Sequence, residues 1–286
     1  MALEITPFFH PGSSTYSYVI ADTDARRAAV LDPALDYDAA SGRSATKSAQ
    51  AIVDFVKSRS YGVDWVLETH AHADHLTAAQ FIRRELGGKV AIGAGILKVQ
   101  QTFKALYNLG AEFKADGSQF DHLFEDGERF KIGGLEVRVL AVPGHTSDSL
   151  AYVLGDAAFV GDTLFMPDSG SARCDFPGGD AGMLYDSIQK ILALPEATRL
   201  FMCHDYAPGG RARLNETSVG EEKRANIHLK DGVTREAYIE MRKSRDAALP
   251  VPALLLPAIQ VNIRAGRLPE PESNGAVYLK IPVDKF

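Results

Sequence analysis

Strand-length apolar runs and helix-period segments alternate along this chain twice over, and in each half the strands run out into loops that carry histidine and aspartate. From residue 3 to about 31, short apolar runs such as Tyr16 to Ile20 and Ala28 to Leu31, separated by turn residues, predict antiparallel strands. Ala49, Ile52, Val53 and Val56 then repeat at helical spacing, and Val63 to Leu67 reads as a buried strand that delivers the chain to His70. Residues 76 to 86 and 96 to 109 are predicted helices, closed by Gly87-Gly88 and by Gly110, with a strand at Val90 to Ile92 between them. Strands return at Phe130 to Ile132, Leu135 to Val142, Leu150 to Leu154 and Ala157 to Val160, joined by turns at Gly133-Gly134 and Gly155-Asp156. A helix at about 181 to 193, a strand at 199 to 203 and a helix opened by a capping box of Ser218 with Glu221 follow. The proline-rich stretch after Pro250 is predicted to be irregular. Elements in this order bury their apolar faces as two sheets packed together with helices outside, an α+β architecture. The expected organisation is one domain over 1–286, with 209–286 as a helical and irregular extension.

Bulk properties narrow the function classes. With 286 residues and 45% hydrophobic content the chain can bury an ordinary globular core. It has no apolar run near the roughly 20 residues of a membrane span, and its start lacks the basic and then apolar regions of a secretory signal, so a cytoplasmic protein with no membrane partner is expected. Two cysteines, Cys174 and Cys203, cannot form a disulfide framework. The net charge of −6 is spread along the chain without a basic block, which argues against a nucleic-acid partner.

Five of the eight histidines, at 70, 72, 75, 145 and 204, fall at or just beyond predicted strand ends, together with Asp74 and Asp162. Any one of them alone would be read as a core or surface histidine; the set is what points to metal. Imidazole and carboxylate are ligands that Zn²⁺ and Fe²⁺ accept, and loops at sheet ends can converge several of them on one point. His70 and His72 are two apart on an extended segment and project to one side, while the turn into the next helix brings Asp74 and His75 round.

Thr69-His-Ala-His-Ala-Asp-His75, Pro143-Gly-His-Thr146, Gly161-Asp162-Thr and Cys203-His-Asp-Tyr206 resemble, in order, the metal motifs of the metallo-β-lactamase superfamily. The resemblance implies an αββα sandwich with the site at one edge of the two sheets. Ligand counting leaves two chemistries open. The full set of His70, His72, Asp74, His75, His145, Asp162 and His204 suits a dinuclear hydrolase of glyoxalase II type, whose metals activate a water. His70, His145 and Asp162 alone suit a non-haem Fe(II) facial triad with open positions.

The text around Ser171-Ala-Arg-Cys-Asp-Phe-Pro-Gly-Gly179 and His204-Asp205-Tyr206 resembles the persulfide dioxygenase family, in its bacterial β-lactamase-like branch. That resemblance implies oxidation of glutathione persulfide, or a related small persulfide, by O₂ to sulfite and free thiol, in sulfide detoxification. It implies one Fe(II) per chain on His70, His145 and Asp162, with His72, Asp74, His75 and His204 as an outer shell or a second metal site, Zn or another metal being the alternative. Arg173 is expected to pair with a substrate carboxylate and Tyr206 to donate a hydrogen bond near the reacting atoms, against plainer roles as an ion pair with Asp175 and as packing. Arg173 follows Asp162 at eleven residues, a longer spacing than in glutathione-using members of that family. The chain lacks the Gly-Cys-Gly-Arg segment expected of glyoxalase II after Asp162. A separate rhodanese and a homodimer are the partners the family suggests. A noncatalytic metal- or sulfide-binding partner protein is the reading from another class. Residues 34 to 48 are read as a lid or dimer contact, and Cys174 as a packed loop residue.

Overall fold

In the computed structural model, which describes residues 2–285, the strand Thr15–Asp22 is buried along its whole length, so both its faces must be covered. Tyr18 and Ile20 enter a core shared with Leu31, Leu67, Val139, Tyr152, Phe159 and Phe201. Val19 and Ala21, on the other face, join Ile52, Val53, Ile82 and Phe103 from helices. The same alternation in the second half sends Val139 inward and Leu140 outward, against Leu184, Ile188 and Ile191 of another helix. Two sheets thus share one inner core and each carries helices outside, which is the αββα sandwich expected.

The first half comprises β1 (Leu3–His10), β2 (Thr15–Asp22), β3 (Arg27–Leu31), β4 (Ala34–Asp38), β5 (Arg43–Ala45), α1 (Lys47–Ser58), β6 (Gly62–Leu67), β7 (Leu76–Thr77), α2 (Ala79–Leu86), β8 (Lys89–Gly93), α3 (Ile96–Leu106) and β9 (His122–Phe124). The second comprises β10 (Arg129–Ile132), β11 (Leu135–Ala141), β12 (Leu150–Leu154), β13 (Ala157–Phe159), α4 (Ala181–Leu192), β14 (Arg199–Phe201), β15 (Glu216–Ser218), α5 (Val219–Ala225), α6 (Arg235–Asp246) and α7 (Leu255–Asn262). One sheet runs β1-β2-β3-β6-β8-β9 and the other β10-β11-β12-β13-β14-β15. β3, β6, β8 and β9 are mutually parallel, with helical crossovers on the outer face. β11 and β13 each pair antiparallel with β12, and β14 lies parallel to β13, so the chain leaves β11, β13 and β14 at the same edge of the second sheet. At that edge the amide of Tyr16, from the first sheet, donates to the carbonyl of Cys203 at 2.7 Å and ties the two sheets together.

Several boundaries differ from expectation for identifiable reasons. The helix expected from residue 76 starts at Ala79, because Leu76–Thr77 pairs with β4 and the Thr77 hydroxyl accepts from the Ala79 amide. The stretch after Pro250 is not irregular throughout: α7 lies within it. It was concealed because Gln260 and Asn262 are buried along with Ala258, Ile259 and Val261, leaving no polar stripe to mark a helical period. Residues 34 to 48 include a hairpin of β4 and β5, and Asp36 accepts from the amide and hydroxyl of Ser48 at the start of α1. Of the Ser218/Glu221 capping box only half forms: Ser218 accepts from the Glu221 amide, while the Glu221 carboxylate turns to Arg224. Both cysteines are free and buried, and no described helix is long and apolar enough to cross a membrane.

Ile52 is 1% exposed and carries α1 onto the first sheet. Ile52→Ala is expected to cost about 2–5 kcal/mol of stability, read from denaturant unfolding; a loss well below 1 kcal/mol would mean that α1 does not depend on this contact.

Candidate metal centre

Beyond β6 the backbone of 70–75 belongs to no strand, so its polar groups need partners from elsewhere. Asp148 accepts from the amide of Ala71 at 2.8 Å. Asn262, at the end of α7, donates to the carbonyls of His72 and His75 at 2.8 Å each and accepts from the amide of Thr77 at 2.9 Å. All of its side-chain hydrogens are spent on this one loop. His145 follows β11 through Gly144, where φ is +139° and a Cβ would lie 2.3 Å from the backbone of Leu184 in α4. Only glycine lets this loop settle on the helix. Asp162 follows β13, and His204 follows β14.

These loops bring all seven expected ligand residues together, six of them buried and Asp74 partly exposed. Asp162 Oδ2 lies 3.8 Å from His70 Nε2 and 3.7 Å from His145 Nε2, and Asp162 Oδ1 lies 3.3 Å from His204 Nε2. His204 Nε2 is also 3.5 Å from Asp74 Oδ2. Metal bonds of about 2.0–2.2 Å separate ligand atoms on one ion by roughly 3–4 Å, and these distances fall in that span. The rings of His70 and His72 are 4.0 Å apart, so the expected same-side projection holds even without a strand.

Hydrogen bonds on the far side of each ring decide which nitrogen faces the cluster. His145 Nδ1 donates to the carbonyl of Arg173 at 2.6 Å and His204 Nδ1 to that of Ser14 at 3.2 Å, which leaves lone pairs on their Nε2 atoms. His70 Nδ1 lies 3.0 Å from the Thr69 hydroxyl, which itself donates to Asp32. His72 is reversed: Nε2 is 3.0 Å from Asp32, so Nδ1 remains free. His70 Nε2, His72 Nδ1, His75 Nε2, His204 Nε2 and Asp162 Oδ1 are buried without a hydrogen-bond partner. Converging polar atoms left without partners fit a bound cation and are otherwise costly.

Protonation follows the same surroundings. Burial holds the His70 imidazole well below its ordinary value, and His72 adds to this. For His72, burial opposes the charge, but Asp32 and Glu68 overcome it and raise the ring to about 10. His204 is likewise raised to about 9 against burial by Asp162 and Asp74, so without a cation both rings hold a second proton, on His72 Nδ1 and His204 Nε2, which metal binding would displace. Asp162 is held well below the usual carboxylate range, since His204, His70 and His145 outweigh its burial.

A cavity of about 380 Å³ opens onto His145, Asp162 and Asp74, walled by Phe165, Arg173, Phe176 and Tyr206. Arg173 reaches this wall, but its fork is taken by Asp175 at 2.6 Å on both nitrogens, and its third nitrogen donates to the Pro250 carbonyl. The ion pair with Asp175 is thus the arrangement observed. Tyr206 is 56% exposed and stacks on His204 with the ring planes 7° apart. Cys174 is packed against Asp246, and burial pushes its thiol up to about 12, which fits the structural role expected. Sequence reasoning missed Asp32, Asn262, His228 and Arg245, the last two of which line the cavity. Asp32-Pro33 ending the apolar run of β3 was a usable signal for the first; the others carry none in their local pattern.

Comparisons with known proteins agree with this geometry. The metallo-β-lactamase superfamily model matches residues 10–204, and the chain belongs to that superfamily, a family of metal-dependent enzymes. It is 50% identical to a probable metallo-hydrolase of Burkholderia pseudomallei over 99% of both chains, and 48% identical to glyoxylase B2 of Dictyostelium discoideum over 95% of this chain and 94% of that one. It is 29% identical to the human mitochondrial persulfide dioxygenase ETHE1 over 90% of this chain and 87% of that one. Its structure is similar to the crystal structure of ETHE1 from Myxococcus xanthus, with a TM-score of 0.74 and 32% identity, covering 93% of this chain and all of that one.

Asn262→Asp keeps the side chain's size and its acceptor for Thr77 but sets a carboxylate against two carbonyl oxygens. It is expected to lower metal affinity by about 10–100-fold in a chelator competition, with the far-UV spectrum of the metal-free protein unchanged. Unaltered affinity would show that the clamp does not position the ligands.

Proposed function

We propose that the chain is a mononuclear Fe(II) persulfide dioxygenase acting on glutathione persulfide or a related small persulfide. The observation that carries this reading is the His70, His145 and Asp162 triad beside a cavity whose walls are the Arg173 to Phe176 and His204 to Tyr206 segments. The likeness to ETHE1 along nearly the whole chain supports it. The reaction balances as persulfide, O₂ and water giving thiol, sulfite and two protons, with the terminal sulfur oxidised by four electrons and O₂ reduced by four. Fe(II) held by two imidazoles and a carboxylate would supply the redox chemistry and leave positions open for exogenous ligands.

The chain's own residues do the rest. Arg173 O and Thr69 Oγ1 fix the tautomers of His145 and His70, so that their Nε2 lone pairs face Asp162. Phe176 packs edge-on against His145, with ring centroids 5.5 Å apart, and keeps that side of the triad apolar. The Tyr206 hydroxyl remains a neutral donor: desolvation at the hydroxyl end, although the residue as a whole is largely exposed, and the charges of Asp162 and Asp74 push its ionisation up.

A second reading, a dinuclear thioester hydrolase, is favoured by the complete seven-residue ligand set and by the names of the two nearer relatives. Oxygen uptake by the iron-reconstituted enzyme given glutathione persulfide separates the two. Uptake with sulfite as product, abolished in His70→Ala, is the expected result. An iron-loaded enzyme that consumes no oxygen yet hydrolyses S-lactoylglutathione would replace the dioxygenase with the hydrolase.

A further inference from the structure

The cavity beside the triad is also lined by His228, Arg242 and Arg245, which lie outside the region matched by the superfamily model. His228 is 6% exposed, and its Nδ1 accepts from the backbone amide of Ser171 at 3.0 Å. An amide can only donate, so Nδ1 holds a lone pair and the proton of the neutral ring sits on Nε2. That Nε2 is buried and has no partner. Burial, with the charges of Arg242 and Arg245, lowers the ring to about 4, so it stays neutral in ordinary conditions. The position is built rather than incidental: Gly170 has φ +85°, and a Cβ there would lie 2.1 Å from His228 Nδ1. Ser171, which holds the ring, is itself bonded to the Tyr238 hydroxyl at 2.8 Å.

The arginines of the cavity differ in what they have left to offer. Arg173 is spent on Asp175. Arg242 is buried, pairs with Asp246 and donates to the Ser171 carbonyl at 3.0 Å. Arg245 is exposed, and its guanidinium makes no ion pair or hydrogen bond among the described residues. A buried N–H donor without an acceptor and a cation without a counter-ion thus line one cavity, alongside the apolar Leu249 and Pro252. Their common complement is an anionic acceptor with two oxygens.

We propose that His228 and Arg245 form a carboxylate subsite, which holds the acidic end of a small thiol while its sulfur faces His145 and Asp162. The proposal rests on reading the cavity as the substrate site, and it makes the 226–246 segment a determinant of which thiol is accepted. An amine-terminated persulfide without a carboxylate would leave both groups unmatched.

S-methylglutathione, which has the carboxylates but no reactive sulfur, is the probe, titrated calorimetrically into the metal-loaded chain. Arg245→Gln and His228→Leu are each expected to weaken its binding about tenfold. Arg245→Lys should recover part of the loss. In turnover, Arg245→Gln is expected to raise the KM for glutathione persulfide and leave both kcat and the KM for cysteamine persulfide unchanged. Wild-type affinity in both Arg245→Gln and His228→Leu, or no binding by the wild-type chain, would overturn the subsite. Because the probe does not react, a wild-type enzyme that binds it but consumes no oxygen would overturn the dioxygenase reading and leave the subsite standing.

Discussion

The buried carboxylate of Asp32 is the contact on which the ligand cluster depends. It sits at the end of β3 with φ at +47°, a left-handed conformation that aspartate tolerates better than most residues. One oxygen accepts from the Thr69 amide at 2.7 Å and lies 3.0 Å from His72 Nε2; the other accepts from the Thr69 hydroxyl at 2.9 Å. A single side chain therefore fixes the exit of β6, the orientation of His72 and, through Thr69, that of His70. Asp32 is 1% exposed, and so many donors are what make such burial of a charge tolerable. Removing it would release the first two histidines of the cluster together.

The second dependence runs through the C-terminal residues. Asn262 reaches from α7 to three backbone groups of the ligand loop, and Ser171, beside the cavity, is held by His228 and Tyr238 from residues further on. The stretch expected to be an extension is structurally part of the site. Its α6 packs Tyr238 into the outer core of the second sheet with Leu184 and Ile188, so the cavity wall and the sandwich share one apolar cluster.

Much of this was legible in the sequence, and the boundary between what was and was not has a physical cause. Strand alternation in β2, the helical period of α1 and the grouping of histidines after strand ends are local patterns, and they led to the sandwich and to seven side chains that the structure brings together, though not to Asp32 or Glu68 beside them. α7 was hidden because its polar residues turn inward to bond backbone rather than outward to water. Asn262 and Thr77 are 185 residues apart in sequence, and His228 and Ser171 are 57 apart, so no local pattern marks either pairing. The engagement of Arg173 by its near neighbour Asp175 was foreseen as the plain alternative to substrate binding, and that ion pair is the one that forms.

The central claim is that His70, His145 and Asp162 hold the catalytic metal. Anomalous diffraction at the iron edge from crystals of the anaerobically reconstituted protein tests it most directly. The account predicts one strong peak within bonding distance of His70 Nε2, His145 Nε2 and a carboxylate oxygen of Asp162, with His72 bonded to Asp32 rather than to iron. Two peaks sharing Asp162, one of them bound by Asp74 and His204, would contradict it and point to a dinuclear centre instead.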